Sequence, residues 1–144
     1  MLPTSILVPT DFSLASYHAL DYAVALAREL KATLHLVHAI NLSQPELTAT
    51  LSDEMFDSLR RGAYLQLERV ASSRTGAVFG SMRVFMNDPR ECILEVAKAV
   101  GAQLIVMGTH GRRGLARLFV GSVTEHVVRF ASCPVLSVPQ EVTP

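Results

Sequence analysis

Cysteine is scarce in this 144-residue chain, net charge is absent and long apolar runs are missing. Each absence removes a class of protein. Cys92 and Cys133 are too few for a disulfide framework and lack CxxC spacing. Cys92 falls near an expected helix start, where the macrodipole can lower a thiol pKa, but an inert buried thiol is the simpler reading; Cys133, before Pro134, reads as packing. The 13 Lys+Arg balance 13 Asp+Glu, with no basic tail, which argues against a nucleic-acid coat or a polybasic membrane binder. Apolar runs such as Ile6 to Val8 and Leu104 to Met107 fall far short of the roughly 20 residues that span a bilayer. The opening Met-Leu-Pro-Thr-Ser has no charged region followed by an apolar core, so a cytoplasmic location is expected. With 49% hydrophobic and 18% charged residues, the composition is that of a globule, and residues 1–144 are expected to form one domain.

What is present is an alternation of strand-like and helix-like stretches. Ser5 to Pro9 reads as a buried strand closed by Thr10 and Asp11. Leu20, Ala23, Val24, Ala27 and Leu30 recur at helical spacing, with Ser13 as N-cap. Thr33 to Ile40 is the second strand, and 41–50 a polar connection containing Pro45. Phe56, Leu59, Ala63, Leu67 and Val70 mark one face of a long helix, whose end Gly76 and Gly80 bracket. Ser81 to Met86 follows as a strand and Asn87-Asp88-Pro89 as a helix start, with Ile93, Val96, Ala97 and Val100 as its stripe and Gly101 as its end. Gln103 to Met107 is a fourth strand. A glycine-bearing basic stretch, a helix over Ser122 to Ala131 with Val123, Val127 and Phe130 on one side, and a short strand, Pro134 to Val138, complete the chain. This order predicts a doubly wound parallel α/β sheet with helices on both faces. Strand orders 2-1-3-4-5 and 3-2-1-4-5 both satisfy it. In the second, strands one and four are neighbours and their C-terminal ends form the ligand crevice.

Two loops meet there. Pro9-Thr10-Asp11-Phe12-Ser13 puts a carboxylate at the crevice mouth, able to accept from a ribose hydroxyl or a base amine; alternatively, Asp11 and Ser13 only cap the helix. Gly108-Thr109-His110-Gly111-Arg112-Arg113-Gly114 leads, through Val120, to Gly121-Ser122-Val123 at a helix start. Glycines admit an anion close to the backbone, and the helix start adds free amides, so these are phosphate-binding parts. Neither GxxxxGK[ST] nor GxGxxG is present, and the two lysines, Lys31 and Lys98, lie elsewhere.

Gly108-xx-Gly111, nine residues, then Gly121-Ser122 resembles the G-2x-G-9x-G-[S/T] signature of the ATP-binding branch of the universal stress protein family. Ile6 to Ser13, Leu36-Val37-His38-Ala39, Asp88-Pro89, Leu104 to Gly108 and Cys133-Pro134-Val135-Leu136 resemble further family segments in the same order. The chain departs from the family pattern at Ala39, where Val is frequent, and at Asn87, where Gly is common. The resemblance implies a five-stranded Rossmann-like sheet of order 3-2-1-4-5 with ATP across the ends of strands one and four. It implies Asp11 at the adenosine, backbone of Pro9, Thr10 and Ala39 around the adenine, and Met107 and Gly108 on the ribose side. His110, Gly111, Arg112, Gly121, Ser122 and Val123 then surround the phosphates, and a nucleotide-borne Mg2+ or Mn2+ falls near Ser122 and Thr124. A homodimer through Val135, Leu136, Ser137 and Val138 is also implied.

His35 and His38 lie three apart on a strand, on opposite faces, which disfavours a shared metal site; His38 reads as structural. His18 and His126 read as structural helix residues. Arg112, Arg113 and Arg117 form the densest basic cluster, and Arg112, beside Gly111, is the one best placed for phosphate. The neutral total therefore averages a basic C-terminal region against an acidic middle carrying Glu46, Asp53, Glu54, Asp57 and Glu68. No Walker-type Asp and no nucleophile with a base at a readable spacing is present, so catalytic residues are not expected. The expectation is an ATP-binding, nucleotide-sensing stress-response domain with an unidentified protein partner. A slow ATPase or adenylate-handling enzyme, or a nucleotide-free dimeric module, is the alternative.

Overall fold

The protein was analysed as a computed structural model, which describes residues 1–42, 44–109 and 121–140. Five strands, β1 (Ser5–Pro9), β2 (Thr33–Ala39), β3 (Val78–Phe85), β4 (Leu104–Gly108) and β5 (Val135–Val138), pair in parallel in the order β3-β2-β1-β4-β5. This settles the choice that periodicity left open. The helices are α1 (Leu14–Leu30), α2 (Pro45–Ala49), α3 (Asp53–Ser72), α4 (Pro89–Ala99) and α5 (Ser122–Phe130).

Side chains alternate across each strand, so a strand covered on both faces feeds two cores. Ile6 and Val8 of β1 join Leu34, Leu36, Val106 and the inward residues of α1 and α3. Leu7, Val37, Ile105 and Met107 join Ile93, Val96 and Val127 of α4 and α5 on the other side. The α1 helix begins at Ser13, whose hydroxyl accepts from Ser16 N–H at 3.2 Å, and ends at left-handed Lys31 (φ 54°), where Ala32 N–H returns to Ala27 C=O at 2.9 Å.

The middle of the chain differs from expectation. The polar connection contains the short helix α2, and β3 starts at Val78, so Gly80 lies within the strand instead of closing the preceding helix. The β2–β3 register passes from Leu34↔Phe79 to Leu36↔Met82, which gives β3 an extra residue at this point. Gly80 is the residue that fits: a Cβ there would stand 2.6 Å from the His35 ring, whose Nδ1 accepts from Ser81 N–H at 2.9 Å. Leu59 and Phe130, expected on buried helix faces, are 43% and 58% exposed. Helical spacing identifies a face without saying how far along the helix the core reaches.

Candidate functional site

Because β1 and β4 are adjacent and lead to helices on opposite faces, a crevice opens beyond their C-terminal ends. It is a cleft of about 620 Å3. All nine expected site residues that fall within the described chain line it: Pro9, Thr10, Asp11, Ala39, Met107, Gly108, Gly121, Ser122 and Val123. His110, Gly111 and Arg112, with Arg113 and Arg117, lie outside the described residues. The cleft also takes in Val37, His38, Ile40, Asn41, Pro89 and Ile93, which the sequence reading did not assign to it. For Ile93 a signal was available, since it opens the apolar stripe of a helix that starts at the crevice end.

The β1 side is a tightly bonded turn. Thr10 N–H donates to Val37 C=O at 2.9 Å, extending the β1–β2 ladder by one residue. Its buried hydroxyl pairs with Ser16 Oγ at 2.9 Å and accepts from Phe12 N–H at 3.0 Å. Phe12 is left-handed at φ 62°, a conformation that stores on the order of 1–3 kcal/mol in a bulky residue and marks a constrained segment. Asp11 Oδ1 accepts from Ser13 N–H at 2.9 Å, orienting the carboxylate, while Ser13 itself caps α1. Of the two residues expected to cap, Ser13 is the one whose side chain caps α1. His38 Nδ1 lies 2.8 Å from Thr10 C=O; a carbonyl only accepts, so Nδ1 carries the hydrogen and donates.

On β2, Val37 C=O is bonded toward β1 and Ile40 N–H toward Phe85 of β3, at 2.7 Å. Peptide groups of successive residues on a parallel strand alternate sides, so Ala39 N–H and C=O face the β1 side, past the last β1–β2 pair, Pro9↔Val37. One residue therefore offers a donor and an acceptor to the cleft.

On the β4 side, Gly121 N–H donates to Thr109 C=O at 2.6 Å, and Thr109 N–H to Val138 C=O at 3.2 Å, tying the start of α5 to the strand ends. Gly121 is the N-cap and brings no side-chain cap, so the first-turn amides of α5 have no intrahelical partner and carry the positive helix end. The cleft hydroxyls are largely committed elsewhere: Thr10 and Ser16 pair, Ser13 caps, and Thr124 Oγ1 donates to Gly108 C=O at 2.9 Å. Ser122 is thereby the cleft hydroxyl best suited to donate to an anion, whereas Thr124 has its hydrogen committed to Gly108 and keeps only its acceptor capacity. Gly108 is fixed by packing, since a Cβ there would meet Ala15 O at 2.8 Å.

Other titratable groups lie at the margin. Hydrogen bonds from the Arg90 side chain and N–H hold the Asp88 carboxyl below its usual pKa as it caps α4. Burial raises the thiols of Cys92, most directly, and Cys133; both cysteines are free, in line with an inert role. His126 rests on the Phe130 ring and stands 3.8 Å from Glu91, a carboxylate neighbour the sequence reading did not give it. Among the described residues no three His, Cys, Asp or Glu side chains gather as a metal site, and no helix is long and apolar enough to cross a membrane.

Residues 4–139 match the universal stress protein family. The chain belongs to that family. Universal stress protein MJ0531 of Methanocaldococcus jannaschii is 32% identical, covering 92% of this chain and 80% of its own length. Universal stress protein YxiE of Bacillus subtilis is also 32% identical, covering 92% of this chain and 96% of its own. Among solved structures, MJ0577 of M. jannaschii, another universal stress protein, superposes with a TM-score of 0.84 at 28% identity, over 97% of this chain and 98% of that one. The five-stranded order and two-faced helix cover are thus those of a universal stress protein.

Proposed function

We propose that the cleft binds ATP and that this universal stress protein domain, spanning residues 1–144, is a nucleotide-sensing regulator rather than an enzyme. The observation that carries the reading is the order of chemical groups across three adjacent strands. The N–H and C=O of Ala39 end β2, the Asp11 carboxylate follows β1, and the Ser122 hydroxyl with the bare amides of α5 follows β4. Neighbouring strands lie about 4.8 Å apart, so these groups succeed one another over roughly 10 Å. A nucleotide presents its complements in the same sequence. The adenine N6 amino group donates to Ala39 C=O while N1 accepts from its N–H; ribose hydroxyls donate to Asp11; phosphates accept from α5. Pro89 and Ile93 supply an apolar wall for the base.

Two solved universal stress proteins support the adenine class: one is a complex with cAMP, the other, from Archaeoglobus fulgidus, a complex with dAMP. At 23% and 21% identity they share the fold with this chain. Mg2+ or Mn2+ rides on the nucleotide phosphates near Ser122, and Arg112 adds a cation to them. The domain works in the cytoplasm as a homodimer through Val135–Val138 of β5, a sheet edge whose four residues are all half-buried. Among the described cleft residues no nucleophile is paired with a base, which favours sensing over turnover.

Gly121 at φ −58° accepts a side chain without backbone strain, so Gly121→Val tests the phosphate end, with circular dichroism confirming that the variant is folded. Calorimetric titration with ATP and Mg2+ is expected to show at least tenfold weaker binding in the variant; undiminished affinity contradicts the phosphate site.

A further inference from the structure

Resting on that adenine-nucleotide reading, we propose that His38 is a positioning residue that aims Asp11 at the sugar hydroxyls, so that the cleft selects ligands carrying a free ribose hydroxyl. Asp11 lies between Thr10 and Phe12, and His38 holds both neighbours. Its Nδ1–H donates to Thr10 C=O at 2.8 Å, and its ring lies against the Phe12 ring with centroids 4.4 Å apart. Phe12 stands at φ 62°, where a bulky side chain persists only if its surroundings over-determine it. A second determinant is local, the Thr10 hydroxyl accepting from Phe12 N–H, and the Phe12 ring also packs against the core on the α1 face. His38 adds a polar tie from a different strand: it belongs to β2, paired with Val84 of β3, and so joins the loop to the rigid sheet. The consequence is pre-organisation. A short carboxylate side chain held at both flanking residues, and by Ser13 N–H at Oδ1, keeps its acceptor direction before the ligand arrives.

The test separates aiming from simple support of the fold. His38→Phe keeps an aromatic ring against Phe12 and removes the donor, whereas His38→Asn removes the ring and keeps an N–H donor near the place of Nδ1. Each is titrated with ATP and with 2′,3′-dideoxy-ATP, which lacks both sugar hydroxyls. Wild type is expected to bind ATP more tightly than the dideoxy compound. His38→Phe is expected to bind ATP at least fivefold more weakly with dideoxy-ATP affinity held within twofold, and His38→Asn to recover most of the ATP affinity. Equal loss for both ligands, or no loss for ATP, overturns the proposal. If His38→Phe fails to fold by circular dichroism, His38→Leu, which removes the same donor with a smaller side chain, carries the same comparison, with the same hydroxyl-specific loss expected and equal losses overturning it. Wild-type protein that binds neither ligand refutes the nucleotide reading itself, a result distinct from both.

Discussion

Gly108 and Asp11 flank the same cleft under different constraints. Gly108 is required where β4 runs under α1: the space a Cβ needs is filled by the backbone oxygen of Ala15, which cannot rotate away. Gly108→Ala is therefore expected to lose on the order of 1–3 kcal/mol of stability in urea unfolding, as overpacked sites do, and an unchanged midpoint contradicts the contact. Asp11, by contrast, accepts from Ser13 N–H two residues on and lines the crevice. Sequence alone placed both residues at the crevice but gave Gly108 only a ligand-side reason. The packing reason depends on a helix 93 positions earlier in the chain, which no local pattern contains. The strain at Phe12 was equally hidden, because an aromatic residue gives no sign of a left-handed backbone.

Among the elements, β3 was the least legible and offers the clearest pH signature. Glycine in a bulge and glycine after a helix look alike in sequence, so Gly80 was read as a terminator; the His35 ring against it resolves the matter. Burial first, and the Arg83 guanidinium second, push the His35 pKa below its ordinary 6.5. The neutral ring is also the form that accepts from Ser81 N–H. An unfolded chain then binds this proton more readily than the folded one, so the contribution is complete above about pH 6.5 and is lost as pH falls through the lower folded value. The urea midpoint is expected to drop further between about pH 7.5 and pH 5 in wild type than in His35→Asn; parallel curves contradict the assignment. The start of α5 was readable in advance, because Gly-Ser before an apolar-periodic stretch marks a helix start with uncapped amides.

For the whole molecule, buried parallel strands announced themselves as continuous apolar runs, and the helix between each pair as a stripe. Strand order did not follow from those runs, which fit two topologies; only the loops and their resemblance to universal stress proteins favoured the arrangement observed. Zero net charge weakened the nucleic-acid and membrane readings without describing the site, which depends on local groups at three strand ends. The β5 edge carries the proposal of assembly: light scattering across a dilution series is expected to give a dimer at micromolar concentration, and Ser137→Pro, which removes a backbone donor on the side away from β4, to give a monomer, while monomer throughout in wild type contradicts pairing through this strand. The central claim is adenine-nucleotide binding in the β1–β4 crevice. It is tested most directly by thermal unfolding with Mg2+ and either ATP or GTP at equal concentration. Ligand at about 100 times its dissociation constant stabilises the folded state by about 2.7 kcal/mol, so ATP is expected to raise Tm by several degrees. Guanine places an acceptor where Ala39 C=O requires a donor, so GTP is expected to raise it far less. An unchanged Tm with ATP, or equal shifts with both nucleotides, would contradict the account.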